Sequence, residues 1–196
     1  MQKIKGILIP IGGNEDKGTE DSELYTLEFI DEGILFHVVK EAGGIDAKIV
    51  VIPTASSIPV EVGENYLNAF AKLGCKNVHV LDIRSKQDSE KKSSIDLIKS
   101  ANCIMFSGGN QSKITKHIGA TTIHDIMLDR YKNETGFVIA GTSAGAMVMT
   151  NEMIAGGSPK EAFIKGAVAM YTGLGLIPEL IIDTHFIRRG RFGRQS

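Results

Sequence analysis

With 196 residues, 42% of them hydrophobic and 23% charged, the chain suits one globular domain, residues 1–196, with a sizeable core. A net charge of −1 argues against a general nucleic-acid or membrane-surface binder. No apolar run approaches the about 20 residues of a membrane span. The opening MQKIKGILIPIGG has a basic start but no small-residue cleavage site, and reads as a first strand rather than a signal peptide. Cys75 and Cys103 read as buried, reduced thiols of a cytoplasmic protein, and no Cys/His cluster has metal-ligand spacing.

Residues 4–10 are apolar and β-branched and predict a buried strand. It ends in Gly12-Gly13, which would let backbone approach a ligand, but the following Asn14-Glu15-Asp16-Lys17-Gly18 reads first as a solvated turn. Residues 19–30 read as loop. Ile34, Leu35, Val38 and Val39 have helical spacing within 31–42, with Gly43-Gly44 as a stop and His37 at the surface or boundary. Residues 48–53 form a second strand, followed by the loop Thr54-Ala55-Ser56-Ser57. Residues 61–73 are a helix with Tyr66, Ala69, Phe70 and Leu73 on one face. Residues 77–83 are a third strand carrying His79 on its face. The charged run 85–94 reads as a solvated loop and helix start, and 95–101 completes that helix. Residues 103–106 are a fourth strand ending in Ser107-Gly108-Gly109-Asn110-Gln111, and 111–118 and 122–133 are covering helices.

Residues 136–151, GFVIAGTSAGAMVMTN, organise the rest. A buried strand, a sharp turn and a helix of small residues enclose Gly141-Thr142-Ser143-Ala144-Gly145, a G-x-S-x-G nucleophile elbow. Such a turn pushes the serine hydroxyl out above the sheet and needs small neighbours, because strand and helix nearly touch. The N–H of Ala144 would point where a carbonyl oxygen gains charge, and the helix N-terminus would add a favourable field. The alternation of apolar strands and helices predicts an α/β fold with a doubly wound, mostly parallel sheet and helices on both faces. Ligands then bind beyond the carboxyl ends of the strands. That places Gly12-Gly13, Thr54-Ala55-Ser56-Ser57, Gly108–Gln111 and Ser143 on one rim. Residues 153–175 read as irregular, and 180–186, LIIDTHF, as a further strand ending at His185.

A serine nucleophile needs an imidazole as base and a carboxylate to hold its tautomer. His185 is the histidine placed at a strand end beyond the elbow; His37, His79, His117 and His124 fall on helices or inside earlier strands. Glu161, Glu152 and Asp183 are all candidates for the carboxylate.

The motifs IGGNEDKG, VVIPTAS, SGGNQ, GTSAGA and DTHFIRRGRFGR run through nearly the whole chain in one order. Together they resemble the cyanophycinase branch of the serine peptidase family that also contains the aspartyl dipeptidases, or peptidase E. The resemblance implies a class I glutamine amidotransferase-like fold and a Ser143–Glu161–His185 triad. The N–H groups of Ala144 and Gly109 are expected to hold the oxyanion. Gln111, Asp183, Thr184, Arg189, Arg191 and Arg194 are expected to line the substrate groove. The family cleaves cyanophycin, a polyaspartate backbone with arginine on each side-chain carboxyl, to β-aspartyl-arginine dipeptides; no metal or organic cofactor is implied. Arginines pair bidentately with carboxylates, which suits a substrate rich in aspartyl and arginyl groups. Its guanidinium groups need acidic partners, for which Glu15, Asp16 and Asp183 are candidates. Where the family usually has glutamine before the histidine, this chain has Thr184. The chain also stops two residues after Arg194, where the family continues, so a shortened chain or a fold completed by a partner subunit is expected, with a homodimer as the assembly. An aspartyl dipeptidase acting on small Asp-X peptides and a catalytically silent binding homologue are the alternatives.

Overall fold

A computed structural model of the chain describes residues 3–18, 29–154 and 169–184. Its centre is a five-stranded sheet built from β1 (Ile7–Ile11), β2 (Ile49–Ile52), β3 (Val78–Val80), β4 (Cys103–Phe106) and β5 (Val138–Thr142). The strand order is β1-β5-β4-β2-β3, and every neighbouring pair is parallel.

The strands read as unbroken apolar runs because both sheet faces are covered. In β2, Ile49 and Val51 point into one core while Val50 and Ile52 point into the other, the period of two expected of a pleated strand. On the first face lie α1 (Ile34–Glu41) and α2 (Pro59–Lys72), which bury Leu35, Val38, Tyr66, Ala69 and Phe70. The opposite face is covered by α4 (Lys92–Ser100), α5 (Gln111–Ile118) and α6 (Thr122–Asn133), through Ile98, Ile114, Ile118, Ile123 and Met127. Phe70 is completely buried between α2 and the sheet. Phe70→Ala is expected to cost about 3–5 kcal/mol of unfolding free energy, read by urea denaturation, because transfer and cavity terms add.

Local chemistry sets the element boundaries. Pro59 occupies the first turn of α2, where its missing N–H has no helical acceptor to lose. The Asn110 side chain caps α5 by accepting from Ser112 N at 2.9 Å. Gly43 and Gly44 end α1 at φ values of 106° and 96°, a region that favours glycine. The charged run 85–94, expected as a loop and a helix start, does supply the helix start but departs from the loop in its first half. It forms the short helix α3 (Lys86–Glu90) and the start of α4, because Ser89 and Ser94 turn inward. Ser89 Oγ donates to the His117 carbonyl at 2.8 Å, and Ser94 Oγ to the Asp88 carbonyl at 2.6 Å.

Three further expectations are revised. The elbow helix, expected to run on toward residue 151, is a single turn, α7 (Ala144–Met147). The stretch 153–175 is not wholly irregular: β6 (Glu152–Ile154) and β7 (Met170–Thr172) pair antiparallel, in three-residue strands too short to show a periodic pattern. The strand expected over 180–186 is not formed in its described part, 180–184. Side-chain packing holds that segment instead, through Ile182 on the core and Thr184 beside the elbow.

Both cysteines are free and buried. Burial pushes the Cys103 thiol up to about 12, with Cys75 adding to the rise, so it is a packing group rather than a nucleophile. No helix among the described residues is long and apolar enough to cross a membrane.

Candidate active site

The chain order explains the position of Ser143. From β1 the chain steps outward to β2 and β3 with α1 and α2 on one face, then returns through β4 to β5 with the later helices on the other. β5 therefore enters last, between β1 and β4. The loops following β1 and β4 flank the carboxyl end of β5, the arrangement in which doubly wound sheets bind ligands.

Ser143 stands at φ 51° and ψ −107°, a conformation that L-residues populate sparsely and that surrounding structure must impose. The Ser143 N–H donates to the Ile11 carbonyl of β1 at 2.9 Å, and its carbonyl accepts from Ala146 and Met147 at 3.0 Å. Glycine is required on both sides. A Cβ on Gly141 would penetrate the backbone of Gly145, and one on Gly145 would lie 2.6 Å from the Phe106 carbonyl oxygen. Strand and helix thus touch backbone to backbone, and the hydroxyl is forced outward. Ala144 and Gly145 open α7, where helix geometry supplies no acceptor for their N–H groups. With one helical turn present, those N–H groups rather than an extended macrodipole carry the local field.

Facing Ser143, the loop after β4 brings Gly108 and Gly109. A Cβ on Gly108 would sit 3.5 Å from Ser143 Cβ, so its absence leaves room beside Ser143. Gly109 has φ 137°, and a Cβ there would collide with the Ala55 carbonyl. The Asn110 N–H donates to that same carbonyl at 2.8 Å. The Ser56 loop thereby clamps Gly108-Gly109 at the rim.

A cleft of about 400 Å³ opens at this point. Its walls are Asn14, Glu15 and Lys17 after β1, Val62, Asn65 and Tyr66 of α2, Gly108 and Gly109, and Thr142 and Ser143. The rim expected to form one site lines two cavities. Thr54, Ser56 and Ser57 line another cavity of about 240 Å³ with Asp82, Arg84, Lys113 and His117.

The run after β1 is not the solvated turn that its composition suggests. Gly13 and Asn14 take φ values of 124° and 56° and turn the chain so that the Glu15 side chain is only 1% exposed. Glu15 Oε1 accepts a short hydrogen bond from Tyr66 Oη, and Oε2 another from Thr142 Oγ1. Lys17 Nζ lies 3.0 Å from Oε1 and 4.9 Å from the centre of the Tyr66 ring. Burial first, then the Glu15 charge and hydrogen bond, push the Tyr66 phenol well above its ordinary value, so it stays a donor. Glu15 therefore faces inward, and of the acidic residues considered for a substrate guanidinium only Asp16 and Asp183 remain. The roles of Glu15, Tyr66 and Thr142 were invisible in sequence, where the only signal was the charged run itself.

The other site expectations divide according to placement. Thr184 is buried and its Oγ1 lies 3.5 Å from Ser143 Oγ and 3.3 Å from Met147 Sδ. Asp183 precedes it, with Oδ2 shielded from solvent. The Gln111 amide donates to the Ile154 carbonyl at 2.5 Å, which ties α5 to the end of β6. Glu152 is exposed on β6. None of the four described histidines lines the Ser143 cleft. His37 is exposed on α1, His79 is exposed and bonded to Asn77 at 2.8 Å, and His117 lines the other cavity. His124 Nδ1 accepts from Ala120 N at 3.1 Å, which leaves Nε2–H to donate to the Leu174 carbonyl at 2.8 Å. Glu161, His185, Arg189, Arg191 and Arg194 lie outside the described residues. Among the described residues no group of three His, Cys, Asp or Glu side chains could hold a metal ion.

Comparison with known proteins gives the same picture at the level of whole chains. The chain is 36% identical over 194 residues to the cyanophycinase of Geminocystis herdmanii, covering 98% of this chain and 66% of the relative. It is 36% identical over 195 residues to the cyanophycinase of Trichormus variabilis, covering 98% and 61%. The cyanophycinase of Synechococcus elongatus is 33% identical over 190 residues, covering 97% and 55%. The chain thus spans 55% to 66% of the length of these relatives. Among solved structures, a peptidase from an acI-B1 Actinobacterium superposes with a TM-score of 0.69 at 20% identity, over 96% of this chain and 71% of that one. A peptidase E-type protein of Listeria monocytogenes EGD-e gives 0.60 at 18% identity, over 97% and 86%. These two share the α/β fold. The model of peptidase family S51 matches residues 28–196, which contain the elbow and everything C-terminal to it, and on that match and the level of identity the chain belongs to peptidase family S51.

Proposed function

We propose that this chain is a serine peptidase of the cyanophycinase type. It hydrolyses cyanophycin, multi-arginyl-polyaspartate, or related isoaspartyl peptides to β-aspartyl-arginine dipeptides through an acyl-enzyme on Ser143. The carrying observation is the forced conformation of Ser143 at the mouth of the cleft, with Thr184 3.5 Å from its hydroxyl. His185, the base in this reading, follows Thr184 directly in the sequence.

The roles follow from acyl-transfer chemistry. Ser143 Oγ bonds to the scissile carbonyl carbon while His185 takes its proton. The tetrahedral oxyanion receives hydrogen bonds from the Ala144 and Gly109 N–H groups. Collapse breaks the C–N bond, and His185 returns the proton to the leaving amine. Water then repeats the sequence on the acyl-enzyme, and Glu161 holds the imidazole tautomer throughout. Arg189, Arg191 and Arg194, with Gln111, Asp183 and Thr184, line the groove, the arginines as carboxylate clamps.

Purified protein incubated with insoluble cyanophycin, with Asp-X dipeptides in parallel, tests the reading. Release of β-aspartyl-arginine from the polymer is expected. Turnover of the dipeptides alone would replace it with the aspartyl dipeptidase reading, and turnover of neither with the silent binding homologue. Gly109→Ala is expected to lower kcat about 10²–10³-fold, the range for loss of one oxyanion donor, because the new Cβ must push the loop away from Ala55.

A further inference from the structure

The least expected feature of the cleft is a carboxylate in its wall that is almost wholly buried. Glu15 joins three elements that are distant in sequence: its own loop after β1, Tyr66 on α2, and Thr142 at the end of β5. Thr142 is the residue immediately before the strained Ser143. Its hydroxyl hydrogen points along the Glu15 bond, so its χ1 and, through it, the entry into the elbow are held from the side of α2. Lys17 supplies the countercharge from the cleft wall. A buried ion is retained at such a place only when hydrogen bonds and an opposite charge compensate its desolvation.

We propose that Glu15 is a positioning residue for the nucleophile, acting through the Thr142 hydroxyl to hold the Ser143 turn in its reactive conformation. The inference rests on the reading of Ser143 as the nucleophile. Local relaxation would relieve backbone strain and move Oγ, and a misplacement of about 1 Å costs on the order of 10²-fold in rate. The Ile11 carbonyl holds Ser143 from the backbone side; the Glu15–Thr142 bond is the side-chain counterpart.

Thr142→Val keeps the shape and removes the donor, Thr142→Ser keeps the donor, and Glu15→Gln keeps the shape but turns one acceptor into a donor. Thr142→Val and Glu15→Gln are each expected to lower kcat about 10–100-fold with KM within about threefold. Thr142→Ser is expected to stay within about threefold of the parent in kcat. The double variant Glu15→Gln/Thr142→Val is expected to be no slower than the worse single one, because both changes act through the one Glu15–Thr142 contact. Parent-like kcat in Thr142→Val, or effects that multiply in the double variant, would overturn the proposal. A crystal structure of Thr142→Val gives a readout free of any substrate: φ of Ser143 is expected to leave the positive region or Oγ to move by about 1 Å. An unchanged turn overturns the positioning role. A parent protein that hydrolyses nothing would defeat the proposed function, while that crystal structure still decides the positioning role.

Discussion

Ser143→Ala is expected to lower kcat on cyanophycin about 10⁶-fold, the size of effect that removal of the nucleophile has in other serine peptidases. The variant keeps the elbow, because the glycines that shape it and the Ser143 N–H bond to Ile11 do not involve the hydroxyl. Residual catalysis over water should persist, since oxyanion donors and substrate contacts remain. KM is expected to change little, as the hydroxyl contributes mainly when the new bond forms. A companion variant separates strain from chemistry. Ser143→Gly relieves a φ of 51° and should be more stable than Ser143→Ala by about 1 kcal/mol, the relief of strain exceeding the entropy cost of glycine. It should be equally inactive. Thermal unfolding and dipeptide release together check both halves. Retained activity in Ser143→Ala would remove the serine peptidase reading altogether.

His185→Gln carries the second large effect, again about 10⁶-fold in kcat, because a serine hydroxyl without its base is as poor as no hydroxyl. The combined Ser143→Ala/His185→Gln variant should be no slower than either alone. In the parent, kcat/KM should fall toward acid pH, since only neutral imidazole accepts the serine proton. That acid limb should vanish in His185→Gln. The carboxylate is identified in the same series. Glu161→Gln should cost on the order of 10⁴-fold, as loss of the orienting acid does elsewhere. Glu152→Gln should stay within about threefold, because Glu152 is exposed on β6 and does not line the Ser143 cleft. A large loss in Glu152→Gln and none in Glu161→Gln would exchange their roles.

What could be read along the chain was local. Strands β2 and β4 are unbroken apolar runs, and α5 and α6 have helical spacing with polar caps, so their limits follow from residues a few positions apart. The elbow is local too: two glycines, a serine and an alanine within five residues dictate a turn that expels the hydroxyl. The single-turn α7 was not legible, because its small apolar residues continue past the point where the chain leaves the helix to pair Thr150 with Ile177.

By itself the sequence determined the parallel α/β architecture, the tight turn that carries Ser143 and the family, since each depends on side-chain type at short, fixed spacing. Only the tertiary structure decided which loops share the cleft with Ser143, and it put the Thr54–Ser57 loop on another cavity. It also turned Glu15 from a surface charge into a buried link, 51 residues from Tyr66 and 127 from Thr142. The physical reason is strand order. β5 inserts last, beside β1, and that adjacency surrounds a carboxylate with two hydroxyls and an ammonium group that no local pattern could foretell.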